Sequence, residues 1–184
     1  MKNNIERQEK IRQLLRENRK RHTLPALLKN WHNITGLPLS ENHFLPLEES
    51  DKLISRFSFP YPDSQIETDT QELKIAFTSI LKGDRNRIDR IFQHLMDRLN
   101  GQEFYLRLYN YDVGFIRLKE SAILKKWKEL LTLDGVELWL YQPNTTNCLI
   151  VEQAEDSIIQ SIEKDSGVYE ISVTSKDWKE VIDQ

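Results

Sequence analysis

Four histidines, a single cysteine and a scatter of carboxylates are the residues from which a catalytic or metal site would have to be built. His22, His32, His43 and His94 lack the short spacings that let two imidazoles on one element share a metal, and Cys148 has no second thiol. Asp84-Arg85-Asn86-Arg87-Ile88-Asp89 opens like a calcium loop, yet Ile88 occupies the third ligand position and no glycine follows it. Asp84 therefore reads as a helix cap. Nucleophile elbows, phosphate-cradling glycine loops and dinucleotide fingerprints are absent, and only six glycines exist to build them. No catalytic residue, metal ligand or cofactor is assigned.

One short pattern bears on catalysis. Pro62-Asp63 followed by Glu72-Leu73-Lys74 resembles the bare motif of a nuclease superfamily in which an Asp and a Glu hold a divalent metal and a Lys aids the attacking water. That chemistry needs the Glu and Lys on a strand, where both side chains reach one face. Here Leu73, Ala76, Phe77 and Ile80 recur at helical spacing after Asp69, a capping residue, and up to Gly83, so a helix is expected and the charges read as its solvated start. A metal-dependent nuclease is the third functional class carried forward.

Residue types suited to binding are more plentiful. Arg12, Arg16, Arg19, Lys20 and Arg21, with Arg7 and Lys10 before them, could grip phosphates in a salt-dependent way. Glu6, Glu9 and Glu17 are interleaved with them, and pairs such as Glu6 with Lys10 account for much of the charge by ordinary helix-surface pairing. Tyr105, Arg107 and Tyr109 alternate along one strand and would share a face, the residue types enriched where proteins bind one another. Glu152, Glu155 and Asp156, with Glu137, Glu163, Asp165 and Glu170, form an acidic set on or beside strands and turns, where carboxylates can be held in an array that meets a cationic partner.

These sets sit on elements that hydrophobic spacing predicts. A first helix over Ile5 to His22 carries Ile11, Leu14 and Leu15 on one side; a second begins near Thr23, with Pro25 in its first turn, carries Leu27, Leu28, Trp31 and Ile34, and stops at Gly36. A short helix follows over Leu47 to Phe57, then a loop from Phe59 to Ser64, the helix from Asp69, and an amphipathic helix after Asp84 through Leu99. The period then changes to two. Phe104 to Tyr109 and Val113 to Leu118 predict a hairpin, Ser121 to Leu131 a helix, Val136 to Tyr141 and Cys148 to Glu152 antiparallel strands, Val168 to Val173 a strand, and Asp177 to Ile182 a closing helical turn. Residues 154–163 fit either period. The order predicts an α+β fold: a helical N-terminal half, about residues 5–100, packed with a mainly antiparallel sheet of about four to five strands.

A chain of 184 residues with four tryptophans, seven phenylalanines and six tyrosines can bury a core despite 30% charged residues. One domain over 1–184 is expected, with a subdivision into 1–60 and 66–184 as the alternative. Neither an export signal nor a membrane-spanning run is present, and the lone cysteine fits a reducing compartment, so a cytoplasmic location with no membrane partner is expected. Charge is polarised along the chain: residues 1–30 hold nine Lys/Arg against three Asp/Glu, whereas residues 134–184 hold three against eleven. The leading expectation is a non-enzymatic, bacterial-type interaction protein, immunity-like or inhibitor-like, whose acidic half docks a basic protein partner, with Glu152, Glu155 and Asp156 pairing to cations and Tyr105, Arg107 and Tyr109 completing the contact. A nucleic-acid accessory or regulatory protein using the basic helix is the second. The oligomeric state is not fixed by the sequence.

Overall fold

The computed structural model describes residues 2–58, 75–77, 79–108, 113–135, 137–153 and 168–183. Its architecture is α+β, a helical N-terminal half followed by an antiparallel sheet. Asp63, Glu72, Lys74, Tyr109, Glu155 and Asp156 lie outside the described residues, as do the expected loop at 59–64 and the ambiguous segment 154–163.

Helix α1 spans Lys2–Thr35 as one element where two were expected. Pro25 lies inside it and has no N–H for the carbonyl of Arg21, which costs the helix one bond there without ending it. Beside that gap, the Thr23 hydroxyl turns back on the chain, donating to the Arg19 carbonyl at 3.1 Å. The exit is as expected: Gly36 adopts a left-handed φ of 70° and returns its N–H to His32 O at 2.8 Å.

A single-turn 3-10 helix, Glu41–His43, leads to α2, Leu47–Ser55, and to a two-stranded parallel ribbon of β1, Phe57–Ser58, and β2, Ile75–Ala76. Strand β3, Ser79–Gly83, then enters the main sheet. The expected helix from Asp69 to Gly83 is thus replaced, over its described part, by strands. Leu73, Ala76, Phe77 and Ile80 satisfy a helical period, but Ile75, Phe77 and Ile80 are β-favouring types, and pairing Leu81 opposite Ile171 outweighs a local preference worth only tenths of a kcal/mol per residue, about 0.5.

Helix α3, Arg85–Arg98, starts at Asp84, whose carboxylate accepts the Arg87 N–H at 2.9 Å, confirming the cap. Strands β4, Phe104–Leu108, and β5, Ile116–Leu118, pair antiparallel as expected. The stretch expected as one helix opens as a 3-10 segment, Ser121–Lys126, before α4, Trp127–Asp134. Strands β6, Glu137–Tyr141, β7, Cys148–Gln153, and β8, Tyr169–Val173, and helix α5, Lys176–Ile182, complete the chain. The sheet has six antiparallel strands in the order β3-β8-β7-β6-β4-β5, slightly more than expected because β3 joins it.

Alternation along these strands builds two cores. Phe104, Leu106, Leu138, Leu140, Leu149, Val151, Ile171 and Val173 face a helical layer supplied by Leu24, Leu27 and Trp31 of α1, Phe92 and Leu95 of α3, Trp127 of α4 and Trp178 of α5. Within that layer Phe92 stacks on Trp127 at 5.4 Å, and the Trp127 indole donates to Asp89 at 2.8 Å. On the opposite face Trp139, Tyr141, Cys148 and Ile150 meet Leu45, Phe57 and Phe115, with Leu53 and Ile54 of α2 packed against them. A buried joint ties this second layer to β5: the Ser50 hydroxyl accepts the Phe115 N–H at 3.0 Å, and the Leu45 N–H reaches Phe115 O at 2.8 Å. Gly114 is required there, since at its φ of 86° an added Cβ would stand 2.7 Å from Ser50 Oγ and 2.9 Å from Leu45 O.

Candidate docking surfaces

The sheet register sorts the expected partner-binding residues. On the second face, Arg117, Tyr105, Tyr141 and Cys148 stand abreast in one row; Arg107, Trp139, Ile150 and Ser172 form the next; Glu137, Glu152, Glu170 and Lys82 form the third. Tyr105 and Arg107 share a face, and the register brings Glu152, Glu137 and Glu170 to that same face.

Local chemistry ties down much of this face. The Tyr105 hydroxyl donates to Glu103 at 3.1 Å, and Arg117 lies 6.0 Å over its ring. Burial, and then that bond to Glu103, hold the Tyr105 hydroxyl above the ordinary phenol range. Arg107 lies 5.0 Å over the Trp139 ring and 3.9 Å from the Glu137 carboxylate, their side chains only 15% and 13% exposed. Lys82 reaches Glu170 at 3.5 Å. The described carboxylate row is therefore half-buried, with a cation facing each of its outer members, and projects less charge than its composition implies. Cys148 is wholly buried, and burial drives its thiol far above its usual value, so it behaves as a core residue.

The basic residues of α1 divide differently. Arg16 and Lys20 turn toward the body: Arg16 pairs with Asp51 of α2, and Lys20 lies 5.7 Å over the Phe44 ring. Arg7, Lys10, Arg12, Arg19 and Arg21 are exposed. Of the seven residues expected to grip phosphate, five thus remain on the open surface and two do not.

The same helix carries most of the large exposed apolar side chains among the described residues. Ile11, Leu14 and Leu15 are 48%, 62% and 55% exposed, whereas Leu27 and Trp31, farther along, are fully buried. At 3.6 residues per turn, the centre of the Ile11, Leu14, Leu15 trio lies about 160° around the axis from that of Leu24, Leu27 and Trp31. The trio is not the core stripe running past the end of the body. It is a second apolar face on the opposite side of the helix. Arg19 and, farther round, Arg12 lie on one flank, and Arg21 and Lys10 on the other, with the half-buried Glu17 about 20° beyond Lys10.

Sequence reasoning grouped Ile11, Leu14 and Leu15 correctly but missed what the group is. Splitting α1 at Pro25 severed the phase relation between the two halves, and only a continuous helix shows that their apolar faces oppose one another. That phase was a readable signal.

Among the described residues no group of three or more His, Cys, Asp or Glu is placed to hold a metal, and no helix is long and apolar enough to cross a membrane. Neither a family model, nor a curated protein, nor a solved structure matches the chain.

Proposed function

We propose that this is a non-enzymatic interaction protein that docks a macromolecular partner through the outer face of the first half of α1. The observation carrying this reading is the exposed trio Ile11, Leu14 and Leu15, set opposite the buried stripe of the same helix and bordered by cations. Contiguous exposed apolar surface rimmed by polar groups is what binding sites look like on folded proteins. A helix with apolar anchors at i, i+3 and i+4 docks by laying that face into a groove. Nucleic acid is the weaker occupant, because the middle of the open arc is aliphatic and Arg16 and Lys20 are engaged by the body.

A photo-reactive residue placed at Leu14 in producing cells tests this. Cross-linking at Leu14 into a discrete adduct, with none from Asn33 on the exposed side of the second half of α1, is the expected result. An adduct whose size nuclease leaves unchanged identifies a protein partner, and one that nuclease trims identifies nucleic acid. No adduct at Leu14, or equal adducts at both positions, contradicts the reading.

A second reading is favoured by the register of Glu137, Glu152 and Glu170: an inhibitor-like or immunity-like protein that captures a basic protein partner at this end of the sheet, with Tyr105 and Arg107 beside the contact. Under it, charge reversal at Glu152, Glu155 and Asp156 slows association with that partner in low salt. Unchanged association contradicts it.

A further inference from the structure

We infer that the partner of α1 is a protein presenting an apolar groove walled by carboxylates; this rests on the reading that the outer face of α1 is the docking surface. Ile11, Leu14 and Leu15 occupy little more than one helical turn, and the same line along the helix continues as Asn18 and His22, both exposed and polar. A matching apolar floor is therefore short. Around it the exposed cations extend from Arg7 to Arg21, about 21 Å of helix at 1.5 Å per residue, with Arg7 at the N-terminal end of the apolar line and Lys10, Arg21, Arg12 and Arg19 on its two flanks.

Each alternative occupant fits less well. Two copies meeting through this face would set Arg12 and Arg19, or Lys10 and Arg21, against their own counterparts, and like charges across an interface oppose association. A lipid surface rewards a long apolar face, which three side chains do not provide. A duplex would have to accept Ile11 and Leu14 where phosphate contacts are needed. A groove with an apolar floor and acidic walls satisfies all three features at once.

The test uses the purified full chain and a defined probe, calcium-loaded calmodulin, an acidic protein whose target groove is apolar and methionine-rich. Saturable binding is expected. Ile11→Ser with Leu14→Ser should weaken it by about tenfold or more at every salt concentration, because buried apolar area is lost. Arg12→Glu with Arg19→Glu should weaken it strongly in low salt and less in high salt, because screening removes the charge contribution. Asn33→Ser should leave it unchanged. All of these side chains lie away from the core, and circular dichroism matching the parent confirms the fold of each variant. Duplex DNA bound as tightly as the probe, and still bound after the Ile11 and Leu14 substitutions, overturns the inference in favour of nucleic acid. Capture by phosphatidylglycerol vesicles without probe binding overturns it in favour of a lipid surface. Absence of probe binding alongside a protein cross-link at Leu14 overturns the groove while leaving the docking surface standing.

Discussion

Truncating two leucines of the same helix separates its two faces. Leu27 is fully buried in the cluster that includes Leu24 and Trp31 and the helical layer, whereas Leu14 is 62% exposed on the other side of α1. Leu27→Ala removes a buried side chain and leaves a cavity in a close-packed layer, which costs about 2–5 kcal/mol. For a domain of this size each kcal/mol lowers the melting temperature by about 2–4 °C, so a loss of about 5–15 °C is expected. Leu14→Ala removes atoms that already contact water, and a surface change of that kind stays within about 0.5 kcal/mol, or about 2 °C. Thermal unfolding followed by circular dichroism reads both. Should Leu14→Ala cost as much as Leu27→Ala, the outer face is packed within the molecule and the proposed surface does not exist.

Gly114→Ala is expected to lose about 2–4 kcal/mol in urea unfolding, because an L residue is strained at its positive φ and the new Cβ meets both Ser50 Oγ and Leu45 O; a loss under about 1 kcal/mol contradicts the joint described there. The Thr174 hydroxyl donates to Thr146 O and accepts the Cys148 N–H at 2.9 Å. Thr174→Val should therefore cost about 1–3 kcal/mol, while Thr174→Ser retains most of the stability. Cys148, buried and with its thiol pKa driven upward, should resist maleimide in the native protein and react on unfolding; rapid native labelling contradicts its placement. Burial raises the hydroxyl pKa of both Tyr105 and Tyr141 in the folded state. Their protonated forms therefore favour folding, a contribution complete below the unfolded value of about 10 and lost as pH rises through the folded values. A variant with Tyr105→Phe and Tyr141→Phe should show a shallower decline of stability above pH of about 10, and an unchanged slope counts against this.

Where one period dominates a long segment, the sequence is explicit. Ile88, Ile91, Phe92 and Leu95 define α3, and the alternation of Phe104, Leu106 and Leu108 defines β4, because each pattern is repeated often enough to exclude the other. The stretch around Ile75 to Gly83 is too short for that. Four apolar residues fit a helix, but the partner that decides the matter, β8, lies about ninety positions away and has no local trace. Pro25 misled in the opposite direction, since a proline that usually marks a first turn is accommodated within α1, whose second half is anchored by Leu24, Leu27 and Trp31. The surfaces follow the same logic. Strand alternation alone places Tyr105 and Arg107 on one face, yet the arrival of Glu152 on that face, and the pairing of Arg107 with Glu137 and Lys82 with Glu170, depend on which strands are neighbours. The outer face of α1 needed only the helical phase, carried without interruption from Ile11 to Trp31.

A docking role requires that outer face to be open in the isolated protein and covered where the protein works. Leu14→Cys supplies a thiol on it, against a background in which Cys148 is buried. The maleimide labelling rate at position 14 measures both states directly, once on the purified protein and once inside producing cells. The expected result is labelling of the purified protein at nearly the rate of a free thiol, and protection by about tenfold or more in cells, the signature of a bound partner. Slow labelling of the purified protein, or equally fast labelling in both settings, contradicts a docking role for this face.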